Sequence, residues 1–404
     1  MRLLRFFNTY EPVSSIIRDL APALAEANLQ MELVISAAEY RRGRRGLDDS
    51  ICQVGGRIVR IPSGVANARS GIGKLTVIST YSIGAALYSL VARRATLNVF
   101  LTQPPLFFAW APILRIFRRQ PYVIILMDMY PDAAVAHGSV KQGGLTHRLG
   151  QWIAGVSLRS ADRVFVIGRC MEERVLNYGV ARRAVTCIPN WADEQRIVPV
   201  ERRNNPLAAE LGIGDELVVL YSGNMGVGHD FGDLLAVARR LKDNDRIRFV
   251  FIGDGVRRKE IERFRHDHRL GNIVIRDFVD ADRMSESQSL GDVHFVSLRE
   301  EFEGVMVPSK VYGALAAGRP IIYHGGAQSE VGKMVREEGI GAVVANGEVD
   351  RLQEALTGYA MDPARLQRQG QRARDLATGK YSRESAISAY VAHLRRTVEL
   401  HQVD

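Results

Sequence analysis

The chain is poor in the features that mark secreted, zinc-binding and membrane-spanning proteins. It has only three cysteines in 404 residues, and Cys52, Cys170 and Cys187 form no CxxC pair. This count and spacing argue against a disulfide framework or a zinc site, and they favour buried thiols in a reducing cytoplasm. No apolar run reaches the ~18 residues that a membrane-spanning helix needs. The first residues, "MRLLRFFNTYEP", become polar too soon for a signal peptide and predict a first β-strand.

Acidic residues are fewer than basic ones: the chain has 45 aspartates and glutamates and 54 lysines and arginines, which gives a net charge of +9. A basic chain is expected to have anionic partners, which include nucleic acid, an acidic membrane surface and phosphorylated substrates. Part of the charge is clustered in "YRRGRRG" at 40–46 and "RIFRRQ" at 115–120. Each cluster is equally compatible with a solvated loop or helix end. The chain lacks a helix-turn-helix, zinc or RNP-like signature, so we expect no nucleic-acid partner.

Short β-branched runs alternate with helical stretches almost throughout, which predicts an α/β protein with parallel sheets covered by helices. At 404 residues the chain exceeds the ~250–300 at which single cores stop growing. The polar segment "PVERRNNP" lacks periodicity and is bracketed by prolines, so it predicts a linker. We therefore predict a first domain at 1–198, the linker at 199–206, a second domain at 207–383, and a helix at 384–404 that packs back on the first domain. Ligands of such sheets bind at the carboxyl ends of the strands.

Two strand-to-helix junctions of the second half are rich in glycine. "YSGNMGVGHDF" contains Gly223 and Asn224, and "FIGDG" contains Gly253 and Asp254 and is followed by Arg257. Glycine lets the backbone approach a ligand closely, and a helix N-terminus favours negative charge. The spacings match neither the dinucleotide-binding fingerprint nor the P-loop, so a merely tight turn remains an alternative.

A third junction, "VPSKVYGALAAGRPIIY" at 307–323, places a lysine where a helix begins. Pro308 sets the direction of the chain, Ser309 is a natural N-cap, and Lys310 lies in the first turn. A cation at this end opposes the helix dipole and costs a few tenths of a kcal/mol to ~1 kcal/mol unless an anion lies between them. Ser309 and Lys310 are therefore predicted to bind a diphosphate.

The segment "SLREEFEGVMVPSKVYGALAAGRPIIY" resembles the donor-binding segment of glycosyltransferase family 4, which has the GT-B fold. "YSGNMG", "FIGDGVRRKEIE", "DVHFVSL" and "CIPNWAD" are similar to that family as well. "LTQPPLFFAWAP" and "DMYPDAAVAHG" are similar to its branch of bacterial exopolysaccharide, capsule and O-antigen enzymes. The resemblance implies two Rossmann-like domains with parallel sheets facing across a cleft.

The sequence departs from the family pattern at several positions. Gly313 stands where the family usually has a glutamate that holds the nucleotide ribose, and Glu303 matches the other family glutamate only if two residues are inserted. Val13-Ser14-Ser15 replaces a Gly-Gly pair in the first loop, and Met127-Asp128 stands in place of a His-Asp pair. Binding of a nucleotide sugar is thus better supported than any particular mechanism.

The candidate residues fall into three groups. Asp128 and Glu303 are the catalytic candidates. Asp128 ends the apolar strand "YVIILMD", where a carboxylate is costly without a function. His229, Asp132 and Glu330 are candidate sugar or acceptor contacts, although capping a helix is an equally good role for His229. The donor-binding candidates are Ser14, Gly223, Asn224, Gly253, Asp254, Arg257, Phe278, Val279, Val307, Pro308, Ser309 and Lys310.

The resemblance implies a hexosyltransferase that takes a nucleotide diphosphate sugar, UDP-linked in preference to GDP-linked, and retains anomeric configuration. We predict that it is metal-independent, because no strand ends in Asp-x-Asp and no cluster of histidines and carboxylates is apparent. No cofactor and no metal site are expected. The acceptor would be a saccharide or a polyprenyl-diphosphate saccharide. Alternatives are a nucleotide-sugar epimerase or hydrolase, and a non-catalytic GT-B partner subunit. We expect a cytoplasmic protein that associates peripherally with the anionic inner membrane face through "PPLFFAWAPILRIFRR" and Arg41, Arg42, Arg44 and Arg45; burial of the first segment against its sheet is the alternative.

Overall fold

Two parallel sheets organise the chain. The computed structural model describes residues 2–8, 15–37, 51–63, 71–102 and 104–401. Their contacts divide the chain into one compact unit at Met1–Ile188 with Ile387–Asp404, and a second at Pro189–Ala386. The α/β organisation predicted from the alternation is confirmed.

The first unit contains a seven-stranded sheet in the order β3-β2-β1-β4-β5-β6-β7, and all its pairings are parallel. Its strands are β1 (Arg2–Phe7), β2 (Leu29–Ser36), β3 (Arg57–Ile61), β4 (Leu97–Leu101), β5 (Tyr122–Ile125), β6 (Arg163–Val166) and β7 (Val185–Cys187). Its helices are α1 (Ser15–Glu26), α2 (Gly71–Val91), α3 (Ala111–Arg118), α4 (Asp132–Ala136), α5 (Leu145–Arg159) and α6 (Arg169–Asn177).

The aromatic part of "PPLFFAWAPILRIFRR" belongs largely to the core of this unit. Phe107 and Phe108 are buried, and the rings of Phe7 and Phe100 stack beside Phe107 with centroids 4.8 Å apart. The large apolar side chains of the segment that are strongly exposed are Ile116 and Phe117, near its end. The alternative interpretation, an apolar face turned toward the sheet, therefore describes most of this segment.

The second unit contains a six-stranded parallel sheet in the order β10-β9-β8-β11-β12-β13. Its strands are β8 (Leu217–Ser222), β9 (Ile247–Ile252), β10 (Ile273–Arg276), β11 (Val293–Ser297), β12 (Ile321–His324) and β13 (Gly341–Val344). Its helices are α7 (Pro206–Glu210), α8 (Gly232–Arg240), α9 (Arg258–Asp267), α10 (Met284–Ser289), α11 (Lys310–Ala316), α12 (Glu330–Glu337), α13 (Val349–Met361) and α14 (Pro363–Thr378).

The segment predicted as a linker, 199–206, is anchored within the second unit. The guanidinium of Arg202 pairs with Asp292, and the Val200 N–H donates to Ser289 Oγ over 3.0 Å. Pro206 is already the first residue of α7. The boundary between the two compact units accordingly lies before Pro189, earlier in the chain than the linker predicted at 199–206.

The last helix, α15 (Arg383–Leu400), belongs to both units. Arg383 pairs with Asp193 in the second unit. Further along, Tyr390 packs on Phe165 of the first unit with ring centroids 5.0 Å apart. Within the described ranges, no helix is long and apolar enough to cross a bilayer.

Candidate donor site

The glycine-rich junctions meet at the carboxyl ends of β8 and β9. Gly223 and Gly253 have φ angles of 130° and 135°, and a Cβ atom on Gly253 would lie 2.1 Å from the carbonyl oxygen of Gly223. Only glycine tolerates both this backbone conformation and this contact. Their N–H groups donate to the carbonyls of Ile252 and Arg276 in the sheet, so these glycines let neighbouring groups pack closely and offer no N–H to a ligand.

Lys310 extends into the space beside Gly223. A Cβ atom on Gly223 would lie 2.9 Å from Lys310 Cε. The Lys310 ammonium donates to His229 Nε2 over 2.9 Å and lies 5.1 Å from the ring centroid of Tyr221. No salt bridge to Lys310 is found among the described residues, and burial lowers its pKa to about 8. The site thus holds a desolvated cation with neutral partners.

His229 is fixed in the tautomer that accepts from Lys310. Its Nδ1–H donates to the Ser297 carbonyl over 2.7 Å, which leaves Nε2 as the acceptor. Burial, followed by the charge of Lys310, lowers the pKa of His229 to about 4, so the ring is neutral near pH 7. At the start of the next helix it is Asp230, not His229, that accepts from the Gly232 N–H. His229 therefore positions Lys310.

The remaining residues of the Pro-Ser-Lys junction divide into buried and accessible positions. Val307 and Pro308 are buried and direct the chain into α11. Ser309 is exposed, and although it occupies the N-cap position its side chain makes no capping hydrogen bond. The Ser309 hydroxyl can therefore serve a ligand beside Lys310.

The junction after β9 is only partly arranged for an anion. Arg257 is already paired with Glu260 at 2.9 Å, and Asp254 accepts from the Gly255 N–H. Asn224 and Asp254 are both exposed. Phe278 is 58% exposed, and its ring lies 3.3 Å from the position of a Cβ on Gly253. Val279 packs against the core instead.

Two glutamates lie near the carboxyl end of β12. Glu303 Oε1 accepts from the Gly326 N–H over 2.7 Å, and a Cβ on Gly326 would collide with that carboxylate. Glu330 is the first residue of α12, whose N-cap Ser329 accepts from the Gly332 N–H. Glu303 is thus held against the backbone of the following loop.

The aspartates of the first unit have different surroundings. Desolvation raises the pKa of Asp128 to about 6, and Asp128 has no hydrogen bond to another described residue. Asp132 is bound by His147 Nε2 at 3.2 Å and by the Tyr178 hydroxyl at 3.3 Å. Asp128 is thus a desolvated carboxyl group without such a partner, whereas the carboxylate of Asp132 is held by His147 and Tyr178. Ser14 and Arg41, Arg42, Arg44 and Arg45 lie outside the described residues.

Sequence patterns did not indicate Gln288, which occupies the space beside Gly313. Gln288 Oε1 lies 2.9 Å from the position of a Cβ on Gly313, and its Nε2–H donates to Ser222 Oγ over 3.1 Å. Gly313 follows Lys310 by three residues, so the two share a face of α11. "SESQSL" is typical of an ordinary polar helix, and only the fold brings Gln288 to α11.

The described residues contain no evident metal centre. Within the described ranges, no group of three or more histidines, cysteines, aspartates and glutamates could hold a metal ion. The described donor site thus consists of one partly buried lysine, a hydroxyl, two closely packed glycines and an exposed aromatic ring.

Comparisons with known proteins identify the family. Residues 13–191 match the glycosyl transferase 4-like domain, and residues 216–362 match glycosyl transferases group 1. A protein of Pseudomonas aeruginosa named as a probable glycosyltransferase, WbjE, is 28% identical over 62% of each chain. The Escherichia coli protein WcaI, named as a candidate glycosyl transferase of colanic acid biosynthesis, is 24% identical over 83% of each chain.

Solved structures support the same fold. HepE of Anabaena in complex with UDP has a TM-score of 0.73 and 13% identity over 98% of this chain and 100% of that one. Sucrose-phosphate synthase of Thermosynechococcus elongatus has a TM-score of 0.76 and 17% identity over both full chains. With two family domains that together cover most of its length, the chain belongs to the GT-B glycosyltransferases.

Proposed function

We propose that this chain transfers a hexose from a nucleotide diphosphate sugar to a saccharide or lipid-linked saccharide in surface polysaccharide synthesis, with retention of configuration. The partly buried ammonium of Lys310, desolvated and without a carboxylate partner among the described residues, carries the proposal. A desolvated cation without a carboxylate partner is unfavourable, and a bound anion removes that cost. WbjE and WcaI are both named as glycosyltransferases, and the name of WcaI refers to colanic acid biosynthesis, which is consistent with this role.

In the proposed complex, Lys310 and the Ser309 hydroxyl bind the donor diphosphate. The ammonium exchanges His229 for phosphate oxygens, or keeps it as a second acceptor. The absence of a side chain at Gly223 leaves room for the Lys310 side chain to extend past it. Phe278 offers an exposed ring to the base. The HepE complexes with UDP and with UDP-glucose favour a uridine nucleotide over a guanosine one.

The leaving group is proposed to be stabilised without a metal. Lys310 neutralises charge that develops on the diphosphate, and Arg257 can contribute if it leaves Glu260. Fixed cations in a desolvated site stabilise developing charge strongly. Asp128 and Glu303 remain the proposed catalytic carboxylates, and Asp132 and Glu330 remain proposed contacts to the transferred sugar or the acceptor.

The test is a titration and turnover panel. Calorimetry with UDP, GDP and a random oligonucleotide should show binding of UDP and none of the oligonucleotide. Nucleotide release from UDP-hexoses should require a saccharide or polyprenyl-diphosphate saccharide acceptor. Acceptor-independent release would instead indicate a hydrolase, conversion of the sugar without release would indicate an epimerase, and binding without any turnover would indicate a non-catalytic subunit.

A further inference from the structure

Exposed apolar side chains are concentrated on three helices of the first unit. Eight of the fourteen exposed large apolar side chains of the described residues lie there, and each is more than half exposed. They are Ile83, Leu87 and Val91 on α2, Ile116 and Phe117 on α3, and Leu145, Leu149 and Trp152 on α5. On α2 and α5 they recur at helical spacing, so each helix presents a continuous apolar stripe to solvent.

These helices cover the same side of the sheet. Their crossovers, from β3 to β4, β4 to β5 and β5 to β6, all advance in one direction along the strand order. Right-handed crossovers between parallel strands then put α2, α3 and α5 on one face. α2 also packs against α3, and α3 packs against α5. The stripes are therefore neighbours.

The chain's excess of positive charge comes from the same region. From Ser50 to Met127 there are nine lysines and arginines and no aspartate or glutamate. The other 45 basic residues equal the 45 acidic residues in number, so this segment accounts for the entire net charge of +9. A surface that is apolar, basic and nearly without acids departs from the mixed charges of ordinary soluble surfaces.

Three exposed arginines on or next to these helices are not used in ion pairs with other described residues. Arg93 and Arg94 follow α2, Arg148 lies between Leu145 and Leu149 on α5, and all three arginines are exposed. No ion pair of theirs occurs among the described residues. By contrast, Arg115 is paired with Asp162 at 2.9 Å, and Arg118 donates to the Ala92 carbonyl. The free arginines are available to an external anion.

We propose that this face of α2, α3 and α5, the apolar–arginine face, lies on the surface of an anionic lipid leaflet. Apolar side chains enter the boundary between headgroups and acyl chains, and arginines at their edge bind the lipid phosphates. A second copy of the chain is a poorer occupant, because like charges would be brought together. The inference rests on the first unit alone and does not depend on the donor chemistry.

Trp152 provides a direct test, since it is one of only three tryptophans and lies on the face. Vesicles of phosphatidylglycerol containing brominated lipid should shift its emission to the blue and quench it, whereas phosphatidylcholine vesicles should not. Trp152→Phe should lose most of this quenching but still co-sediment. Quenching that is unchanged in Trp152→Phe, or no association with phosphatidylglycerol vesicles, would overturn the proposal.

Matched variants separate the two components of the face. Leu87→Ser with Phe117→Ser should reduce co-sedimentation on the order of tenfold or more, whereas Val256→Ser with Met361→Ser, exposed apolar residues of the second unit, should not. Each arginine near anionic lipid strengthens binding about fivefold, so Arg93, Arg94 and Arg148 changed to Ser should weaken it roughly a hundredfold. The control changes Lys259, Arg263 and Arg265, which are exposed on α9, to Ser.

Salt and nucleotide titrations complete the test. At 0.5 M salt, where the Debye length is only a few Å, binding of the parent should weaken. Every variant of the apolar–arginine face should bind UDP with the affinity of the parent protein. This result would also show that the second unit of each variant is folded. Control variants that lose as much vesicle binding as the face variants would overturn the proposal, as would lipid-free dimers abolished by the face variants.

Discussion

Lys310 is held by neutral partners rather than by a carboxylate. Burial lowers its pKa from 10.5 to about 8, while its partner His229 stays neutral. An unfolded lysine keeps its proton up to its ordinary pKa, so the unfolded state binds more protons between the two values. The free energy of unfolding of the ligand-free protein should therefore rise with pH between about 8 and 10.5.

Donor binding should have the opposite pH dependence. A diphosphate beside Lys310 raises the pKa of the ammonium, so binding takes up a proton once the free lysine is partly neutral. We expect UDP affinity to fall as pH rises through about 8. Calorimetry at pH 8.5 in two buffers of different ionisation enthalpy measures this uptake. Lys310→Met should abolish it, and equal uptake in that variant would place the titrating group elsewhere.

Replacing Asp128 should stabilise the protein and reduce its activity. Desolvation raises its pKa from 3.8 to about 6, so the folded state binds more protons between these values and stability falls as pH rises through them. Asp128→Asn should raise Tm by a few degrees at pH 7 and lower kcat.

Asp132→Asn is the matched control for this change. It removes the carboxylate that His147 and Tyr178 bind, so it should lower Tm. If Asp128→Asn lowers Tm as well, the aspartate at 128 has a structural role instead.

At the scale of secondary structure elements, the packing of α10 on α11 bears on how the ribose of the nucleotide would be bound. Gln288 fills the space beside Gly313, and its Oε1 accepts no hydrogen bond from the described residues. We expect this oxygen to accept from a ribose hydroxyl. Gln288→Ala should weaken UDP binding several-fold, as expected for one hydrogen bond. Calorimetry with 2′,3′-dideoxy-UDP is the control, because both proteins should bind it alike; an equal loss for both nucleotides would exclude a ribose contact.

The elements themselves were predictable from the sequence, and so was part of the candidate site. Alternating apolar runs predicted the parallel strands, and Gly223, Gly253 and Lys310 were recognisable because each departs from what its local element prefers. His229 as the partner of Lys310 was not predictable, since 81 residues separate them in the chain. Gln288 was missed for the same reason. A sequence pattern shows where a residue departs from the preference of its own helix or strand, whereas contacts between distant segments depend on packing.

For the whole molecule, we expect catalysis without a divalent cation. The ammonium of Lys310 can neutralise the charge that develops on the leaving diphosphate. Activity should therefore persist in excess EDTA, measured as acceptor-dependent release of UDP. Loss of activity on chelation that Mn²⁺ restores would contradict metal-independent transfer.

The most direct measurement is a calorimetric titration of UDP into the parent protein, Lys310→Met and Asp128→Asn at pH 7. Loss of a hydrogen bond to a charged group costs ~1.5–3 kcal/mol, so Lys310→Met should bind UDP about tenfold to a hundredfold more weakly. Asp128→Asn should bind like the parent, because Asp128 belongs to the first unit. Equal affinity of Lys310→Met and the parent protein would contradict the assignment of the donor diphosphate to Lys310.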